Sequence, residues 1–407
     1  MKKVHFIGIG GIGVSAIARM MLLEGAEVTG SDQSSSPVTD ELIRLGVRIN
    51  FEHKKENVEE GVTLVIYTIA IPADNPELVE ARARGIKCQT YPEFLGELSR
   101  QKFTIAISGT HGKTTTTAMV AQILIEAGLD PTVVIGSFLL NEGGSRTNFI
   151  AGKSKYLVVE ACEYKRSFLN LSPKILVITN IDADHLDYYK DLDDIKSAFA
   201  EMSAKSEKVI TEKNYIKLST LNLSLLVTGT HNVRNAQAAL AVAETLGIDR
   251  EVAIKALNNF RGTWRRFEFK GEFNQVIIYD DYAHHPTEIC ATISGARELY
   301  PTKRLIILFQ PHLYSRTKQL LGDFAVSLAL ADMVLVGPIY AAREPEDCTI
   351  SHQILTAEIN KVKSIARAIN SFAEAEKLLR AELKNGDLLL TMGAGEAYKV
   401  GENLLTK

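Results

Sequence analysis

This sequence predicts an α/β protein of three domains, each built on a doubly wound, mostly parallel sheet, and three observations carry that expectation. One pattern recurs with different loops: an apolar strand, a glycine-rich or polar turn, then an amphipathic helix. Two of those turns are glycine-rich, GIGGIG at Gly8 to Gly13 and SGTHGKTTTT at Ser108 to Thr117. The 407 residues also exceed one ordinary core and suggest two to three domains of about 100–200 residues each. Boundaries are expected at 1–99, 100–262 and 263–407.

In the first domain Val4 to Ile9 reads as a strand, Val14 to Glu24 as a helix, and Glu27 to Gly30 as a second strand ending in Ser31 and Asp32. Glycines at Gly8, Gly10, Gly11 and Gly13 between strand and helix, with an acidic residue about 20 positions on, form the phosphate-binding start of a Rossmann-like unit. A run of glycines that merely packs strand on helix is the alternative. Thr63 to Ile71 reads as a further strand, whose carboxyl-end residues Tyr67 and Thr68 face the same crevice.

The second domain opens near Gln101 on an apolar strand (Phe103, Ile105, Ile107) that leads into the second glycine loop. Gly109 and Gly112 let backbone amides close around an anion, with Thr110 and His111 between them. Lys113 supplies a point charge and Thr114 a hydroxyl for magnesium, followed by Thr115 at the helix start. The loop is shorter than the usual phosphate loop, since Ile107 stands six before Lys113. Strand before and helix after favour a nucleoside-triphosphate site of P-loop ATPase type over a threonine-rich helix start that binds nothing.

Strands at Tyr156 to Val159 and Ile175 to Thr179 end in EACEY and NIDADHLDYY. Polar groups at the carboxyl ends of parallel strands converge over a ligand, which selects Glu160 and His185 for a magnesium shell with Thr114. A solvated carboxylate and a helix-capping histidine are the alternative. The helix beginning near His231 places Asn232 and Asn235 on adjacent turns, where either hydrogen-bonds an adenine edge or caps the helix. After Gly262 a third domain brings Arg266, then strand Val276 to Tyr279, then Asp281, Tyr282, His284 and Pro286. Pro286 suits a first helical turn, so some of these polar residues are turn chemistry. Strands at Arg304 to Phe309, Met333 to Val336 and Leu388 to Met392 complete a Rossmann-like C-terminal sheet.

Composition excludes other classes. A net charge of −3 with interspersed signs forms no basic stripe, so nucleic acid is not an expected partner. Cys88, Cys162, Cys290 and Cys348 lack metal-ligand spacing and fit a reducing compartment. The amino terminus runs straight into a strand, and no apolar run approaches the roughly 20 residues that span a bilayer. A cytoplasmic protein without membrane contact is expected.

Eight motifs in order carry a resemblance: GIGGIG, SGTHGKTTTT, EACEY, NIDADHLDYY, HNVRNAQAAL, GTWRRFE, DDYAHHPTE and FQPHLYSRT. Over nearly the whole chain they resemble the Mur ligase family, and within it the alanine-adding members. The resemblance implies ATP-dependent amide-bond formation in peptidoglycan precursor synthesis, with ATP and Mg2+ as cofactors and UDP-N-acetylmuramate and L-alanine as substrates, in a monomer or weak homodimer. It implies that Gly8, Gly10, Gly11, Gly13 and Asp32 hold UDP, with Tyr67 and Thr68 nearby. Lys113 would hold the β- and γ-phosphates, and Thr114, Glu160 and His185 the magnesium. Asn232, Asn235, Arg266 and Asp281 match nucleotide contacts, and Tyr282, His284 and Arg316 positions near the incoming amino acid.

Three departures stand out. Leu313 occupies a position where the alanine-adding members carry arginine, which would leave Arg316 to hold the amino-acid carboxylate and makes Leu313→Arg an expected gain in affinity. Cys162 and Tyr164 replace the aspartate and serine of EADES, and the tyrosine resembles the tripeptide-recycling branch. The stretch from Ala200 to Thr230 is short and lysine-rich, so the central domain is expected in reduced form. A nicotinamide-dependent dehydrogenase would explain GIGGIG and Asp32 but leaves the second loop without a task. A non-catalytic nucleotide-binding protein has no need of His284 and Arg316.

Overall fold

A computed structural model of the chain describes residues 2–140, 146–186, 188–227, 229–342 and 344–406. Asp187 of the NIDADHLDYY run therefore lies outside the described residues. The chain divides into two compact units, Met1–Leu223 with Asn235–Asn258, and Ser224–Arg234 with Asn259–Lys407.

The first unit carries two sheets. One contains β1 (Lys3–Ile7), β2 (Glu27–Ser31), β3 (Arg48–Asn50), β4 (Leu64–Tyr67) and β5 (Lys87–Thr90), all parallel in the order β3-β2-β1-β4-β5. The order reverses between β1 and β4, so the loops leaving their carboxyl ends diverge and open a crevice. Val4, Phe6, Ile7, Val65 and Ile66 are fully buried, as expected of strands covered on both faces. The strand expected over Thr63 to Ile71 stops at Tyr67, because the chain turns at Thr68, whose carbonyl accepts from the Ile71 amide at 3.1 Å.

The second sheet adds β6 (Phe103–Ser108), β7 (Thr132–Leu140), β8 (Arg146–Ile150), β9 (Tyr156–Glu160), β10 (Ile175–Ile178) and β11 (Lys208–Thr211), in the order β11-β10-β6-β9-β7-β8. Only the β7–β8 pair is antiparallel. β6 lies between β9 and β10, which places the loop after it between Glu160 and Asn180. The helix Ile12–Leu23 ties the two sheets together: Asn148 on β8 is fully buried and donates to the Ser15 hydroxyl at 2.8 Å. After β11 come the short helix Glu212–Tyr215 and then, among the described residues, no regular element until the helix Thr230–Leu246. The central domain is thus the reduced form that the short segment foretold.

The second unit holds β12 (Glu268–Phe273), β13 (Val276–Asp281), β14 (Leu305–Phe309), β15 (Met333–Val336), β16 (Ala366–Ala368) and β17 (Leu388–Met392), in the order β12-β13-β17-β14-β15-β16. β12 is an antiparallel edge and the rest are parallel. Arg265 pins the sheet from beneath its loops, donating to Asp280 at 2.7 Å and to the carbonyls of Gly393 and Gly395 at 2.6 and 3.0 Å. Burial raises the Asp280 carboxyl against the pull of that guanidinium. No helix among the described residues is long and apolar enough to cross a membrane.

Candidate active site

In the first sheet the glycine loop is shaped by its neighbours. Gly8 has φ +75°, and a Cβ there would lie 2.5 Å from the Thr68 side chain, so only glycine fits. The amides of Gly8 and Ile9 donate to the Ser31 carbonyl at 2.9 and 3.0 Å, and the Gly10 amide donates to Asp32 at 2.7 Å. Asp32 therefore braces the loop with one carboxylate oxygen, while the other accepts from the amide of Gln33. Gly13 opens the helix Ile12–Leu23 against the ring of Tyr91, with a would-be Cβ 2.6 Å away. Burial raises the Tyr91 phenol, and the charge of Glu160 adds to the shift. One phenol thus stands by the end of the glycine loop and within the field of the second sheet's carboxylate.

The second loop is held by the end of β10. The Thr110 amide donates to the Asn180 carbonyl at 3.0 Å and the His111 amide to the Asn180 side chain at 2.9 Å. Gly109 at φ +127° leaves no room for a Cβ, which would meet the Thr179 hydroxyl at 2.1 Å. Gly112 at φ +82° is backed by Asn235, 2.5 Å from a would-be Cβ, so Asn235 supports this loop. Thr114 donates to Glu160 at 3.0 Å, and the Gly136 amide donates to the other oxygen at 2.9 Å. A hydroxyl and a carboxylate converging at the start of the helix Lys113–Glu126 offer hard oxygens of the kind magnesium takes. Thr115 is buried in the following turn.

Lys113 folds back over its own loop. Its ammonium donates to the carbonyls of Gly109 and Thr110 at 2.6 and 3.0 Å and pairs with Glu163 at 3.0 Å. Burial alone would lower its pKa, but the Glu163 carboxylate holds it above the ordinary value. Glu163 is 2% exposed, and its carbonyl accepts from the Tyr189 hydroxyl at 2.5 Å. His185, at φ +55°, lies 3.7 Å from Glu163 and stacks at a tilt on Tyr164, 4.9 Å between centroids. It reaches the loop by way of the Lys113–Glu163 pair. Sequence reading passed over Glu163, although the EACEY run places it three residues beyond Glu160.

In the second unit, Asp281 at the end of β13 accepts from the amides of Phe267 and Ala283 at 2.8 and 2.7 Å and from the Thr292 hydroxyl at 3.1 Å. Burial pushes its carboxyl up to about 6 despite the nearby Arg266. Arg265 and Arg266 stand over the Tyr282 ring at 5.2 and 5.4 Å. His284 Nδ1 lies 2.9 Å from the Tyr282 carbonyl; a carbonyl only accepts, so Nδ1 carries a proton. Arg316 Nη1 lies 2.7 Å from His312 Nδ1, which must accept, and the His312 ring packs edge-on against His284 at 5.3 Å. Asn232 is buried at the start of the helix Thr230–Leu246, its amide donating to the Gly229 carbonyl at 2.9 Å.

Comparison with known proteins decides what these sites belong to. Residues 3–103 match the Mur ligase family catalytic domain, 107–217 the Mur ligase middle domain, and 265–395 the Mur ligase glutamate ligase domain. The chain belongs to the Mur ligase family.

Within that family it is 43% identical over 453 aligned positions to a UDP-N-acetylmuramate–L-alanine ligase of Clostridium tetani, covering 100% of this chain and 98% of the relative. The enzyme of that name from Clostridium acetobutylicum is equally similar. Among solved structures, UDP-N-acetylmuramate-alanine ligase MurC from Thermotoga maritima superposes with a TM-score of 0.86 at 30% identity, covering 100% and 98% of the two chains. A murein peptide ligase from Psychrobacter arcticus reaches 0.69 at 25% identity, again over 100% and 98%.

Leu313, where the family resemblance implies an arginine, lies just before the helix Tyr314–Gln319. It is 2% exposed, with φ +67°, and its amide donates to the Tyr340 carbonyl at 2.9 Å. A side chain leaving that backbone points into packing, so an arginine there would carry its charge into the protein.

Proposed function

We propose that this chain joins L-alanine to UDP-N-acetylmuramate with hydrolysis of ATP to ADP and phosphate, through an acyl phosphate. The observation that supports it most is similarity along the whole chain to enzymes of that name, at 43% identity. The division at 1–99, 100–262 and 263–407 then separates sugar-nucleotide, ATP and amino-acid domains. Work in the cytoplasm, as a monomer or weak homodimer and without nucleic acid or membrane, belongs to the same reading.

A carboxylate is a poor acyl donor at neutral pH, and converting it to an acyl phosphate, a mixed anhydride, creates a leaving group. The lactyl carboxylate of the sugar nucleotide would attack the γ-phosphorus in line, forming the acyl phosphate and ADP. Lys113 and the loop amides would stabilise the charge on the transferring group, so positioning and electrostatics do nearly all the work. Thr114, Glu160 and His185 would hold magnesium, which neutralises phosphate charge when bound. The alanine amine must be neutral to attack the acyl carbon; an imidazole such as that of His284 would take that proton, and Arg316 would hold the amino-acid carboxylate. Tetrahedral collapse expels phosphate. Asp32, Tyr67 and Thr68 with the glycine loop would bind UDP, and Asn232, Asn235, Arg266 and Asp281 would serve the nucleotide.

The test is release of phosphate from ATP by purified protein with magnesium and UDP-N-acetylmuramate, scanning amino acids and L-alanyl-γ-D-glutamyl-diaminopimelate. L-Alanine alone should support it. Turnover with the tripeptide and none with L-alanine would replace this reading by a recycling ligase.

A further inference from the structure

Behind the glycine loop lies a buried polar cluster that the reaction does not use. Glu77 is fully buried in the helix Pro76–Ala83, at its amino-terminal turn, where the backbone favours negative charge. One of its oxygens accepts from His5 Nε2 at 2.9 Å and from the Ser31 hydroxyl at 2.7 Å. The other faces His53 Nδ1 at 3.1 Å and accepts from the Asn57 side chain at 2.9 Å. Four partners match the roughly four acceptor sites of an ionised carboxylate. Burial by itself would raise the carboxyl, but the bonds from His5, Ser31 and Asn57 hold it below its usual range. His5 in turn meets the Thr29 hydroxyl at 2.8 Å, so the cluster ties β1, β2, the segment after β3 and this helix together.

Ser31 connects the cluster to the loop. Its hydroxyl is held by Glu77 and lies 3.2 Å from His53, while its carbonyl accepts both Gly8 and Ile9 amides, and Asp32 next to it accepts Gly10. A buried charge with all its acceptor sites filled is costly to displace and so makes a stiff anchor. We propose that Glu77 is a positioning residue for the sugar-nucleotide site, fixing the end of β2 and through it the geometry of the glycine loop. This rests on the reading of that loop as the place where UDP-N-acetylmuramate binds.

Glu77→Gln keeps the volume but replaces two acceptors with one and adds a donor facing donors. Its KM for UDP-N-acetylmuramate should rise about tenfold or more, the scale of a lost charge-assisted hydrogen bond, with kcat and the KM for ATP within about twofold of the parent. Ser31→Ala removes only the connecting hydroxyl and should raise the same KM several-fold, which decides the matter if Glu77→Gln does not fold. Two references accompany them. Leu78→Ala, one residue along the same helix and 1% exposed, should lower the melting temperature without moving that KM. Asp32→Ala should raise it directly. An unchanged KM in Glu77→Gln and Ser31→Ala beside a raised one in Asp32→Ala overturns the positioning role alone. A KM raised equally in Leu78→Ala overturns it too, by assigning the effect to lost stability. If Asp32→Ala also leaves the KM unchanged, the reading of the loop fails and takes the proposal with it.

Discussion

The hydroxyl of Thr114 and the carboxylate of Glu160, 46 residues apart in sequence, are joined by a 3.0 Å hydrogen bond beside the second glycine loop. Parallel pairing of β6 with β9 brings them together, since Ile107 stands opposite Glu160. On the proposed reading Thr114 and Glu160 would help hold magnesium, which would neutralise phosphate charge. Glu160→Gln should therefore nearly abolish ADP formation, while Thr114→Ala should shift the magnesium requirement upward. His185→Ala should weaken the dependence of rate on magnesium. A magnesium titration of all three decides it, and a parent-like curve for Glu160→Gln would remove the carboxylate from the metal.

Lys113 is held by two loop carbonyls and Glu163. Lys113→Ala should cut turnover by several orders of magnitude, as expected for a main transition-state contact. Glu163→Gln should act differently. Removing one partner of a buried pair costs about 3–5 kcal/mol, whereas a bound triphosphate would give the ammonium a new partner. ATP with magnesium should then raise the melting temperature of Glu163→Gln by more than it raises that of the parent. Equal shifts would mean that Lys113 does not exchange the carboxylate for phosphate.

Much of this arrangement is legible in the sequence because continuous apolar runs such as Leu305 to Phe309 can only be strands covered on both faces, and glycine loops after them announce anions. Glu160 could be found because it ends such a run. Glu163 could not: three residues on, in a non-repetitive turn, nothing marks a carboxylate that will be 2% exposed beside a lysine 50 residues away. Glu77 and His5 were hidden for a similar reason, since their bond spans 72 residues and no local period encodes it. The β7–β8 hairpin carries little alternation at Arg146–Ile150 and went unread.

Asp281 supplies a pH signature. Its carboxyl titrates near 6 in the folded chain, against 3.8 for the free group. The folded state therefore binds the proton more tightly, so this residue's contribution to stability is greatest below about pH 4, falls as pH rises toward 6, and is level above. The span is on the order of 3 kcal/mol. Chemical denaturation between pH 4 and 7 should show the difference between parent and Asp281→Asn changing across that window and constant beyond it. A difference that stays flat from pH 4 would mean burial does not govern this carboxyl.

On the proposed reading His284 would serve the amine of L-alanine and Arg316 its carboxylate. His284→Gln, which keeps a donor toward the Tyr282 carbonyl but loses the basic nitrogen, should lower kcat by about 10²–10⁴-fold. Arg316→Lys should instead raise the KM for L-alanine roughly 10- to 100-fold, because a point charge does not replace a planar fork. Initial rates at varied L-alanine separate the two. A kcat effect from Arg316→Lys with an unchanged KM would place the carboxylate elsewhere.

Leu313→Arg tests the same end from the packing side. Arginine at this position reads from sequence as a second carboxylate contact, but the residue here is 2% exposed and its backbone already lies at φ +67°. The left-handed conformation costs a branched or bulky side chain on the order of 1 kcal/mol whichever residue carries it, so the substitution is decided by the side chain. Leucine brings no charge to this buried position, whereas a guanidinium would need a partner there, and leaving it unpaired costs several kcal/mol. We expect Leu313→Arg to melt well below the parent and to gain nothing in KM for L-alanine. Leu313→Met, close in volume and uncharged, should stay within about 1.5 kcal/mol of the parent and keep its KM. A stable Leu313→Arg protein with a lower KM would show that the arginine escapes the packing and reaches the substrate carboxylate beside Arg316.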